Sequence, residues 1–262
     1  MDKYLNLLLD LPATINQRLP RNNFNEVMDG SEKSVKGWVG LAYKVFALVF
    51  LVSMLYAVIQ AGLDHLGGGA NSMSKVGSVL AILLYVYASF PLAQIIRNAG
   101  DSLASSKSGI IDFVFKDIVV VNIKAVGFIT ALGAFFTAVV MTISFILNAD
   151  VFGFSYEVIH ELGNIVSFPL EILGMLLAMI SLHDFSDLFN QLYGLDFMGG
   201  TMASTVDGWT WDGLSSVALS YVSVLVVLIQ LFISLAVYHF LYALASALVN
   251  WVKAPYLPFK KL

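Results

Sequence analysis

From Leu214 to Trp251 the chain runs for 38 residues without one Gly, Pro, Lys, Arg, Asp or Glu. A helix that is apolar on every side has to be surrounded by other apolar matter, either lipid or protein. As one straight helix the segment would measure about 57 Å at 1.5 Å per residue, nearly twice the roughly 30 Å of hydrocarbon in a bilayer. Sharp bends normally have a local cause such as Pro or a Gly/Ser pair. With no such breaker in sight, the segment is expected to cross the membrane and project beyond it against a partner.

The rest of the chain agrees with a membrane setting. Hydrophobic residues make up 58% of the 262 and charged ones 12%, with a mean hydropathy of +0.82. Soluble domains carry about 25% charged residues, and half that density cannot cover a surface in water. There is no Gly period and no Cys, which removes collagen-like and disulfide-scaffold folds and the commonest zinc ligand. The net charge of −4, without a dense Lys/Arg cluster, argues against nucleic acid as a partner.

Measured against the about 20 apolar residues that a span requires, three further segments qualify: Gly37–Ala61, Val76–Ile96 and Ile118–Leu147. A fifth, Val166–Leu182, is 17 residues long and carries Pro169 and Glu171, which suits a short re-entrant or interfacial helix. Residues 1–36 are polar and Asn-rich and lack the apolar core of a cleavable signal. Within them Tyr4, Leu5, Leu8, Leu9 and Leu11 share one face of a short amphipathic turn. Gly67, Gly68 and Gly69 follow no strand, so they form a tight connection and not a phosphate loop.

Charge position orients these segments. Residues 1–124 hold 11 Lys/Arg and nine Asp/Glu, residues 253–262 hold three Lys and no acid, and residues 125–252 hold nine acids and no Lys or Arg. Lys and Arg collect in cytoplasmic loops. The N-terminal segment, the loop with Arg97, Lys107 and Lys116, and the tail with Lys253, Lys260 and Lys261 are therefore expected inside. Both termini inside require an even number of crossings. The expected fold is all-α and polytopic, with four full transmembrane helices and a short re-entrant or interfacial helix; five spans is the alternative. The organisation is a cytoplasmic segment 1–36, three spans within 37–147, an acidic external region 148–213, a long span 214–252 and a cytoplasmic tail 253–262.

Several residues are candidates for function. Glu171 is an ionisable group in an apolar segment and is expected near a helix start, where the macrodipole favours a carboxylate. Ser216, Ser220, Ser223, Gln230, Ser234 and Tyr238 recur at helical spacing and form a polar stripe, which lines either a hydrated path or a packing seam. Glu157, Glu161, Asp184 and Asp187 belong to an acidic external region that would attract cations, or simply be a solvated surface. Gly127, Ala131, Ala134 and Ala138 share one helix face, which allows close helix approach. Lys44 and Lys124 are expected to snorkel to the cytoplasmic interface. His160-Glu161-Leu162-Gly163-Asn164 has Asn where a zinc protease needs its second His. His183, Asp184 and Asp187 make only a weak cation set. No catalytic residue, metal site or cofactor is expected.

Two functions remain. One is a transport or channel-like protein, homo-oligomeric, with a cation-attracting external vestibule feeding the stripe. The other is a non-catalytic structural or scaffold subunit of a larger membrane complex, such as a secretion or translocation assembly. The first is preferred on the sequence. The partners are the lipid bilayer and further copies or other membrane subunits, in a plasma (inner) membrane.

Overall fold

A computed structural model describes residues 24–68, 71–153, 157–187 and 208–253, with the side chains of 24–29, 32–33, 157–165 and 253 outside that description. The described chain is helical, with no strand among these residues. Helix α1 (Phe24–Gly67) is followed by α2 (Ser72–Ala104). A short α3 (Ile110–Asp112) continues through a π-helical turn (Phe113–Ile118) into α4 (Val119–Leu147). Then come α5 (Glu157–Met179) and α6 (Trp211–Lys253). Four of these units are long and apolar enough to cross a membrane: α1, α2, the α3-to-α4 unit and α6. In α5 only Val166–Met179 is an apolar stretch, shorter than a span. The chain is thus an all-α protein of the polytopic membrane class. The turn of residues 4–11 and Gly69 lie outside the described residues.

Helix α4 is the centre of the packing: 67% of its most apolar window is buried, against 22% for α1 and 28% for α6. On one side of it, Ile129, Phe136 and Val140 join Ala47, Met54 and Val58 of α1 and Tyr85, Ala88 and Leu92 of α2. On the other side, Ile123 and Val126 join Val166 of α5 and Leu231 and Leu235 of α6. At 100° per residue Gly127, Phe135 and Thr142, which meet Leu231 and Tyr221 of α6, fall on the face of α4 nearly opposite Ile129, Phe136 and Val140. The helices therefore form a row, with α1 and α6 toward its two flanks, and not a ring around a central axis.

Small residues set the spacing. A Cβ at Gly127 would stand 2.5 Å from Leu231 Cδ1, so the glycine lets α6 press its leucine against the α4 backbone. Ala131, Ala134 and Ala138 lie on that same face and are buried. Gly40 of α1 and Gly100 of α2 meet as a second seam, where a Cβ on either would stand 2.8 Å from the other's carbonyl oxygen. Helix α4 stops at Asn148, which takes the left-handed conformation (φ 46°, ψ 50°). Ala149 N–H donates to Ser144 O, and Ser144 Oγ returns a hydrogen bond to Ala149 O. These bonds satisfy carbonyls that the helix end would leave open.

The helices are longer than the apolar runs: the first reaches from Phe24 instead of Gly37, and the last extends to 43 residues, about 64 Å. Helix α6 is continuous from Trp211 to Lys253. Helix α5 starts at Glu157, nine residues before the apolar stretch, which alters the reading of Glu171. That residue lies in the fourth turn of α5 and not the first, so the N-terminal macrodipole, which acts over about one turn, does not hold its carboxylate.

Candidate functional site

Polar side chains collect at one end of the row, where α1, the connection after α2, the π turn and the far part of α6 meet. Lys36 is 7% exposed. Its ammonium donates to the carbonyls of Ser106, at 3.5 Å, and Ser108, and stands 5.6 Å from the centre of the Phe113 ring. A buried ammonium loses its water shell, and here two carbonyls and a ring face replace it. Asp117, on the π turn, accepts hydrogen bonds from the hydroxyls of Ser106 and of Ser108, the latter at 2.6 Å. The connection 105–109 is thus held from both sides, by a cation from α1 and a carboxylate from the π turn.

Further hydrogen bonds tie neighbouring helices to this elbow. Tyr43 donates to Asn122 Oδ1 at 2.6 Å. Tyr238 and Tyr242 of α6 donate to the Phe115 carbonyl and the Asp112 carboxylate. A π turn is wider than an α turn and is often found at functional positions; here it marks where α6 is anchored. Lys44, expected to snorkel, pairs with Asp101 at 2.6 Å, both about half exposed, a contact of little energetic weight in water. Lys124 is exposed and lines a cleft with His239.

The polar stripe of α6 changes character along its length. Ser216 Oγ donates to Asp212 O, Ser220 to Val217 O and Ser223 to Ser220 O. These hydroxyls satisfy themselves on their own helix. Gln230 is half buried, and Ser234 is fully buried and donates to the Val166 carbonyl of α5. Val166 therefore reaches the level of Ile123 and Leu235, 13 residues after Gly153 near the other end. Helix α5 is packed into the row and does not lie across its end. Ser234→Ala is expected to remove that bond between α6 and α5, cost about 1 kcal/mol and speed hydrogen exchange over residues 166–179. Unchanged exchange there would remove Ser234 as the tether of α5.

Glu171 is half buried on α5 next to Leu170, which is fully buried. Asp184 and Asp187 are exposed, while the side chains of Glu157, Glu161 and His160 lie outside the described residues, as do Asp196 and Asp207. Among the described residues no three His, Asp or Glu side chains converge on a point, His183, Asp184 and Asp187 included. At the end away from the elbow, Ser74 and Ser78 of α2 hold the chain after α4, donating to Asp150 O and accepting from Phe152 N–H at 3.0 Å. The Trp209 indole donates to Ile146 O at 3.4 Å.

Compared with known proteins, the chain matches no family model, no curated protein and no solved structure.

Proposed function

We propose that the chain is a non-catalytic subunit of a larger membrane assembly, with α6 as its main contact surface. One observation carries this reading. Hydrogen bonds of α6 to the rest of the described chain reach as far as Tyr242, and residues 243–252 beyond it, Ala-Leu-Ala-Ser-Ala-Leu-Val-Asn-Trp-Val, are all exposed and carry no charge. Leu244, Leu248, Val249, Trp251 and Val252 stand out from the level of the elbow lysines over about 15 Å. The start of α1 extends past the same level, but its sequence carries Glu26, Asp29, Glu32 and Lys33 and suits water. An uncharged extension does not, and it needs an apolar partner. Under the positive-inside rule the elbow end is cytoplasmic, both termini are inside, and the membrane is the plasma (inner) membrane.

The conduction reading of the stripe has less support, since Ser216, Ser220 and Ser223 bond their own backbone and Ser234 is bonded to α5. A paired test separates the two readings. Photocrosslinkers at Leu244 and Leu248 in native membranes are expected to give one discrete protein adduct, with lipid adducts alone at Leu219. Single cysteines at Ser223, Gln230 and Ser234 are expected to stay silent to a membrane-impermeant thiol reagent. Labelling along the stripe without a protein adduct at Leu244 would replace the subunit reading by a conducting one.

A further inference from the structure

Between the elbow, α4 and α6 lies a cleft of 460 Å³ whose lining includes Lys107, Lys116, Lys124 and His239. Its one carboxylate, Asp117, is already engaged by the hydroxyls of Ser106 and Ser108. Three exposed ammonium groups therefore face the cleft against one carboxylate. The Lys116 ammonium also rests 5.9 Å from the centre of the Tyr242 ring, which holds it toward α6. That balance favours an anion, and a phosphate offers enough acceptor oxygens for several lysines.

The cleft does not end at its polar rim. Ser102, Val121 and Lys124 also line a second groove of 270 Å³ between α2 and α4. Its remaining walls are Ile95, Asn98, Ala99, Ala125 and Phe128, mostly apolar and deeper along the spans. A cationic cleft therefore opens into an apolar slot across a shared wall, on the face of α4 away from α5. A free phosphate would use only the first compartment. Basic pockets between transmembrane helices suit anionic lipid headgroups, and the slot supplies the place for a tail.

We propose that cleft and groove together hold one anionic phospholipid, its phosphate among Lys107, Lys116 and Lys124 and an acyl chain between α2 and α4. The full chain in detergent, titrated with phosphatidylglycerol or with phosphatidylcholine of the same acyl chains and followed by native mass spectrometry, tests this. Phosphatidylglycerol is expected to bind more tightly. Each lysine changed to Gln is expected to weaken it about fivefold, and the triple variant about a hundredfold, with phosphatidylcholine unaffected. Lys75→Gln, at the other end, leaves binding unchanged. Asn98→Trp fills the groove with every lysine unchanged and is expected to weaken the lipid too. Equal binding of the two lipids, or a triple variant that binds like the parent, overturns the proposal. Displacement by inorganic phosphate together with an inert Asn98→Trp assigns the cleft to a free anion and overturns it as well.

Discussion

Gly100→Leu is expected to separate α1 from α2 and abolish recovery of a monodisperse protein. A Cβ at Gly100 would stand 2.7 Å from Tyr43 Cβ and 2.8 Å from the Gly40 carbonyl oxygen, and one at Gly40 would stand 2.7 Å from Ala104 Cβ. Most of these neighbours are backbone or the root of a side chain, so no rotamer change relieves the clash. The helices themselves must move apart. In lipid no hydrophobic force drives the two helices back together, because the tails are as apolar as the side chains. Association rests on close packing and on the contacts that packing allows, here Lys44 to Asp101 between the two helices and Tyr43 of α1 to Asn122 of α4 beside them. Overpacking a soluble core costs about 1–3 kcal/mol, and a clash against backbone belongs at the upper end of that range. Gly37→Ala is the control: nothing lies within 4 Å of the added Cβ, and α1 should gain about 1 kcal/mol from improved helix propensity. Size-exclusion profiles and thermal midpoints of the two variants in one detergent decide the matter. A Gly100→Leu protein as monodisperse as Gly37→Ala would mean that the α1–α2 seam does not hold the fold.

That seam also shows what a sequence of this kind conceals. The spans were legible because a bilayer imposes a length, and runs such as Val76–Ile96 meet it with few charges. The helix ends were not, since charged turns such as Ser31–Lys36 continue a helix outside lipid without any apolar signal. Gly127 stood out because alanines follow it at helical spacing, whereas Gly40 and Gly100 lie 60 residues apart in sequence and gain meaning only when α1 and α2 pair. The displacement of Glu171 from the first turn of its helix has the same root. Residues 157–165 form helix although their polarity hides them from a count of apolar residues. The stripe on α6 was readable as a period, but its partner, the Val166 carbonyl, is a backbone atom and leaves no trace in residue type. The elbow was least visible of all. Lys36 lies 70 and 72 residues from Ser106 and Ser108, so nothing in the sequence pairs it with the connection that these serines and Asp117 build across the π turn.

Lys36→Met should open that elbow. The substitution keeps an apolar stem of similar length but removes the ammonium that donates to the Ser106 and Ser108 carbonyls. A buried carbonyl left without a partner costs about 1–3 kcal/mol, and more where a charge had served it. Asp117 would keep its serine hydroxyls and the charge of Lys116 but lose that of Lys36. A loss of about 2–4 kcal/mol in local stability follows, which multiplies the open population of the elbow at least about thirtyfold. Trypsin reads this directly, because Lys107 and Lys116 sit in the elbow and residues 125–252 contain no Lys or Arg. Cleavage follows the open population when reclosing is fast, so the full-length variant in detergent should be cut after Lys107 or Lys116 at least about thirtyfold faster than the parent. The large fragment that results would run from the elbow to the tail. Asp117→Asn keeps an acceptor for both serines and should raise the rate far less. If Lys36→Met is cut no faster than the parent, the ammonium is not what closes the elbow, and the anchoring passes to Tyr238 and Tyr242, whose Phe variants would then accelerate cleavage instead.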